Sequence, residues 1–210
     1  MTMLKKFVLV LAVSAFTAGI AFAQGAAPDK ENILYIDTKD GRIAIQLRPD
    51  LAPGHVARVK KLAREGFYDG LVFHRVLDGF MAQTGDPQGT GAGGSKYPDL
   101  KAEFSQEPFK RGTVGAARTQ NPNSANSQFF IVLDEASHLN GQYTLWGEVI
   151  RGMERVDAIK KGDRRRNGLV TNPDKMVKVT VAADAKDHSV LQEPESPKRG
   201  AAQTAPRGSN

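Results

Sequence analysis

Within residues 73–87, FHRVLDGFMAQTGDP, one charged group stands out. Arg75 lies among Phe73, Val76, Phe80 and Met81. A guanidinium does not lose its proton in proteins, so Arg75 is no acid or base. Arginine is almost never fully buried without a partner. The spacing therefore places Arg75 at a partly open surface, its stem on apolar residues. The candidate set is Arg75, Phe80, Met81, Gln83, Phe130 and Leu139: an apolar patch with two fixed polar groups. If residues 71–76 are a strand, alternation points Phe73 and Arg75 the same way. On the next strand, Phe80 and Ala82 then oppose Met81 and Gln83.

Other chemistries find less support. The chain has no cysteine, which removes disulfides, thiol catalysis and cysteine metal sites. The four histidines, His55, His74, His138 and His188, do not pair at the i, i+4 spacing of a zinc-binding helix, so neither metal nor cofactor is expected. There is no G-x-S-x-G elbow, although a dispersed Ser/His/Asp triad stays open. GTGAGG at 89–94 matches G-x-G-x-x-G literally. A dinucleotide site needs a helix after that motif, and Pro98 follows instead, so the stretch reads as a loop beside a groove. The basic cluster Lys160, Lys161, Arg164, Arg165 and Arg166 has no interleaved aromatics, so a solvated loop is expected and not a nucleic-acid site.

These residues need a scaffold. NILYIDTKDGRIAIQL (32–47) is two alternating runs around Asp40-Gly41, a hairpin signal. Residues 52–66 switch to helical period through Val56, Val59 and Leu62, with Pro53 at the start and Gly66 at the stop. Residues 71–76, 79–85, 112–117, 127–133, 143–150 and 175–183 read as strands, and 152–162 as a short helix. About eight strands without intervening helices exclude a parallel α/β sheet. A closed, largely antiparallel barrel is expected because closure removes edges, with a sandwich as the alternative.

The 210 residues suffice for one domain plus appendages. Residues 1–23 resemble a cleavable signal peptide: Lys5 and Lys6, an apolar run from Phe7 to Ile20, then Ala21-Phe22-Ala23. The run is shorter than the ~20 residues of a comfortable membrane span, so no lasting anchor is expected. A short leader occupies 24–31, the domain 32–185, and a polar, disordered tail 186–210. The expected location is a bacterial periplasm. The net charge of +6 is modest.

In order along the chain, FHRVLDGFMAQTGDP, GTGAGG, NSQFFI and LNGQYTLWGEV resemble the signature segments of the cyclophilin-type peptidyl-prolyl cis-trans isomerases. The likeness runs from about residue 32 to 183. It implies an eight-stranded antiparallel barrel capped by two helices, with the substrate groove on one face. It places the catalytic arginine at Arg75, its neighbouring glutamine at Gln83, and the proline-ring pocket at Phe80, Met81, Phe130 and Leu139. Backbone that pairs with an extended peptide falls around Arg118, Thr119 and Gln120, and a groove-wall glycine at Gly89. His138 stands where many members have a rim tryptophan, and Tyr143 where they have a histidine, so weak or no cyclosporin binding is expected. The implied partners are proline-containing polypeptides, acted on by a monomer.

Overall fold

The computed structural model describes residues 29–193. The expected signal peptide and its cleavage point lie outside those residues, as does the tail after 193. The strands are β1 (Ile33–Thr38), β2 (Gly41–Leu47), β3 (Arg75–Leu77), β4 (Met81–Thr84), β5 (Thr113–Ala116), β6 (Phe129–Val132), β7 (Leu145–Arg151) and β8 (Lys178–Val181). The described residues also form two α-helices, α1 (Pro53–Arg64) and α2 (Met153–Ala158), and several short 3₁₀ turns.

Asp40-Gly41 turns the chain between β1 and β2, and Gly41 takes a φ of 120° that a side chain would resist. The register pairs Leu34 with Ile45 and Ile36 with Ile43, which puts the apolar alternation on one face. Those side chains join Val56, Val59 and Leu62 of α1, with Phe129 and Trp146, in the main core. Each fully buried aliphatic contributes roughly 1.5–3 kcal/mol relative to exposure. α1 begins at Pro53, where a missing N–H costs nothing. No side chain of its own first turn caps it. Glu103, from a distant loop, accepts from the N–H groups of Gly54 and His55 (2.9 and 3.0 Å) and from His55 Nδ1. Gly66, at a φ of 68°, ends the helical run.

The strand order is β3-β4-β6-β5-β7-β2-β1-β8, antiparallel throughout. The expected closed barrel is corrected here: β3 and β8 share no ladder, and the sheet is an open, curled half-barrel. Residues 160–177 run across the gap and touch the β3 edge only at intervals. Val76 N–H donates to Gly168 O (2.8 Å), Val170 N–H to His74 O (3.1 Å), and Phe73 N–H to Asp174 O (2.9 Å). A regular ladder cannot form there. Asn167 and Asn172 are left-handed (φ 55° and 51°), and Pro173 has no N–H to give.

Two further expectations are revised. Phe73 does not share a face with Arg75; it precedes β3 in irregular chain and is buried in the main core with Val76. Residues 186–193, expected to belong to an unpacked tail, cover the outer face of β1. Val190 packs with Ile33, Tyr35 and Ala44, and His188 Nδ1 lies 3.0 Å from the Tyr35 hydroxyl. The Glu193 carboxylate meets Arg155 at 2.6 Å. The tail looked polar because its two anchoring apolar residues, Val190 and Leu191, are adjacent and show no period.

Candidate functional site

Arg75 opens β3, and antiparallel pairing sets it directly opposite Gln83 of β4. Cross-strand partners share a face, so the two polar side chains meet by register alone. Arg75 Nη1 donates to Gln83 Oε1 (3.1 Å). On the other side Asn167 grips the guanidinium twice. Its carbonyl accepts from Nε (3.0 Å) and its Oδ1 from Nη2 (2.9 Å). Nη1 also approaches Met81 Sδ at 4.0 Å, a weak acceptor. Arg75 thus keeps donor capacity on the side of Met81, which a stronger acceptor could take. Burial pulls its pKa below the usual arginine value, yet the group remains a cation at neutral pH.

Met81 begins the apolar part. It forms a second buried cluster with Phe130, Val132, Leu139 and Leu145, separate from the main core. Phe109 stacks beneath Phe130, centroids 5.9 Å apart. Gly115 permits this, since a Cβ there would lie 2.5 Å from the Phe130 ring and 2.7 Å from Phe109. Above the cluster opens a cavity of about 260 Å³, lined by Arg75, Phe80, Met81, Gln83, Ala117, Arg118, Phe130, His138, Leu139 and Tyr143. At the rim the Phe80 and His138 rings lie 5.2 Å apart, and Tyr143 meets the edge of Phe130 at 5.7 Å. The Arg118 guanidinium lies 4.4 Å over Tyr143 and donates to Gln142 O (2.8 Å).

A second, more polar cavity of about 600 Å³ continues from the first and shares Gln83, Ala117 and Arg118 with it. Its floor is held by Gln128. Gln83 Nε2 donates to Gln128 Oε1 (2.9 Å), and Gln128 Nε2 donates to Gly91 O (3.0 Å) and Gly93 O (2.8 Å). A continuous polar chain therefore runs from Asn167 through Arg75, Gln83 and Gln128 to the glycine loop. Beneath that loop, the Asp86 carboxylate accepts from the N–H groups of Gln88, Thr90 and Gly91 (2.8, 2.9 and 2.6 Å). Burial pushes the Asp86 carboxyl up, but these N–H groups with that of Gly93 hold it below the usual range. The loop amides that a phosphate would need are occupied by the protein's own carboxylate, and no helix follows them.

The first cavity gathers Arg75, Gln83, Phe80, Met81, Arg118, Phe130, His138, Leu139 and Tyr143. Thr119 lines the second cavity instead. Gly89 and Gln120 line neither: Gly89 lies against Val72, and the Gln120 carbonyl faces Arg118. His74, beside Arg75 in sequence, lines neither cavity. Its ring is buried with both nitrogens unpartnered, and burial lowers its pKa. Sequence reading missed Asn167, Gln128 and Asp86. Asp86 and Gln128 both lie within the signature segments, and Asp86 is also an acid followed by a run of glycines; Asn167 carried no signal.

A family model described as Cyclophilin type peptidyl-prolyl cis-trans isomerase/CLD matches residues 33–181. A probable peptidyl-prolyl cis-trans isomerase of Brucella suis is 58% identical over 189 residues, covering 84% of this chain and 96% of its own. Peptidyl-prolyl cis-trans isomerase B of Bacillus subtilis is 44% identical over 132 residues, 61% of this chain and 91% of its own. Among solved structures, a cyclophilin from Hirschia baltica superposes with a TM-score of 0.67 at 27% identity, over 75% of this chain and 76% of its own. A Cryptosporidium parvum cyclophilin-type isomerase, crystallised in the presence of the dipeptide Ala-Pro, gives 0.65 at 25% identity, over 71% and 98%.

Proposed function

This chain belongs to the cyclophilin-type peptidyl-prolyl cis-trans isomerases, and from that premise we propose that Arg75 accelerates X–Pro rotation by donating a hydrogen bond to the prolyl nitrogen. The barrier to rotation, ~18–20 kcal/mol, comes from C–N double-bond character. No bond need break, so a catalyst has only to prefer the twisted state. In that state the nitrogen loses conjugation and regains a lone pair. A donor aimed at it binds the twisted peptide and gains nothing from the planar one. The observation that carries this reading is the Arg75 donor facing only the weak sulfur acceptor of Met81 at the pocket wall. The ring of a substrate proline fits the apolar cavity over Met81, Phe130 and Leu139, in keeping with the Ala-Pro used with the related Cryptosporidium protein. Asn167 and Gln83 hold the guanidinium so that little reorganisation accompanies the reaction. An acceleration of ~10⁵ asks for about 7 kcal/mol, within reach of one charge-assisted bond plus positioning.

The resemblance of residues 1–23 to a signal peptide supports action on exported chains. The test of the mechanism is the cis-to-trans rate of a short X–Pro peptide. Arg75→Ala is expected to lower kcat/KM by about 10²–10³ with the circular dichroism spectrum retained. Full activity in that variant would refute the role of Arg75. Saturable binding without turnover by the wild type would mean a groove that only holds chains. The wild-type rate is expected to stay nearly flat from about pH 6 to 9, since an arginine donor does not titrate there.

A further inference from the structure

Residues Arg164–Arg166 form a short 3₁₀ turn immediately before Asn167, the residue that grips Arg75. The turn rests on the β3–β4 hairpin: Arg164 Nη2 donates to the carbonyl of Asp78 (2.7 Å), two residues before Phe80 of the pocket. The Asp163 side chain caps it by accepting from Arg165 N–H (2.9 Å). Arg164 is committed to the hairpin, but the guanidinium groups of Arg165 and Arg166 are scarcely used by the fold. Arg165 is 91% exposed and reaches Asp163 only at 3.4 Å. Arg166 has no side-chain partner among the described residues. The nearby lysines are engaged elsewhere, Lys160 on Thr171 O and Lys161 on the carbonyls of Asp157 and Ile159. Three adjacent arginines against one capping carboxylate leave a local surplus of positive charge beside the groove.

We infer that Arg164–Arg166 select acidic client segments, binding an Asp or Glu side chain close to the isomerised X–Pro bond. The inference rests on the isomerase reading. The polar cavity adjoins the apolar one at Gln83, Ala117 and Arg118 and would take the peptide on one side of the proline. Arg75 and Phe80 line only the apolar cavity, and the arginine turn adjoins them through Asn167 on Arg75 and Arg164 on Asp78, so a peptide leaving on that side would pass it. Guanidinium groups match carboxylates in planar, two-bond geometry. The charges lie in water, so each pair contributes modestly and is screened by salt. Three consecutive arginines without an aromatic platform do not make a single-strand nucleic-acid track.

The experiment compares kcat/KM for X–Pro peptides bearing Glu or Gln two residues after the proline, and for a second pair bearing them two residues before it. At low salt, one Glu peptide is expected to exceed its Gln counterpart by about two- to fivefold. The advantage is expected to vanish in an R165E/R166E double variant and at high salt, with turnover of the Gln peptides unchanged. Equal rates for Glu and Gln peptides on both sides would overturn this inference alone. An advantage that survives in the double variant would do the same. If the wild type accelerates neither Gln peptide, the isomerase reading falls and takes this inference with it.

Discussion

The two sides of the groove are built by different means. Arg75, Met81, Gln83 and Phe130 stand on three adjacent antiparallel strands, where each position is fixed by a ladder partner. The opposite side, residues 86–99 and 117–126, has almost no ladder. It is held by a few side-chain acceptors: Asp86 under the glycine loop, and Asn126, whose Oδ1 accepts from Ser95 N–H and hydroxyl (2.8 and 2.7 Å). Strands give a reacting group tight placement, whereas loops can adapt to varied peptides at small cost. On the function proposed above, the molecule separates what must be exact in geometry from what must accommodate many sequences. Gln83 is the joint between the two, touching Arg75 with one end and Gln128 with the other.

If the division holds, Asp86→Ala has the largest effect on stability. It removes three charge-assisted hydrogen bonds from a buried carboxylate at once and is expected to cost about 2–3 kcal/mol in urea unfolding. KM should rise several-fold, with kcat within about threefold of wild type. An equal loss in kcat would break the distinction between the two sides. Gln83→Ala comes next: about a tenfold drop in kcat, or about 1.4 kcal/mol, with KM and melting temperature little changed. A pure KM effect would assign Gln83 to peptide holding and not to Arg75. The smallest effect is expected from acid. Burial lowers the pKa values of both His74 and His55, with the Glu103 contact partly opposing it for His55. The unfolded chain therefore binds more protons below about pH 6.5. The stability from these histidines is fully present above that pH and is lost as pH falls toward the folded values. Thermal melts should show Tm declining from pH 7 to pH 5. Amide exchange over 86–94, above His74, should quicken before that of the sheet. A Tm independent of pH would contradict this.

How far these features were legible depends on how local their causes are. The β1–β2 turn could be read because Asp40-Gly41 and the flanking alternation lie within one stretch. Arg75 could be read because a charge in an apolar run conflicts with simple core packing. Gln83 followed from the same segment. Asn167 could not be read, since its partner lies 92 residues away and it sits in no distinctive pattern. Gln128 lies within the NSQFFI segment, but nothing there announces its contact with Gln83, 45 residues away. The left-handed Asn167 that interrupts the β3–β8 seam is also the residue that holds Arg75, so the open barrel and the missed clamp have one cause. The half-barrel was expected to close because edge avoidance is a general rule. Here residues 160–177 cover the seam without completing a ladder.

The pairing of β1 with β8 also bears on how the chain reaches its fold. β1 and β2 can meet early, for they are joined by a tight turn. The far edge of β1 has no partner until Lys178–Val181 arrives from the opposite end of the domain. Every folding molecule must therefore pass through a period in which a strand of Ile, Leu and Tyr offers its backbone to whatever is near. Contacts between such distant segments form late and slowly. For this isomerase the time of greatest exposure to association lies in its own assembly, and it ends when four residues add the last strand.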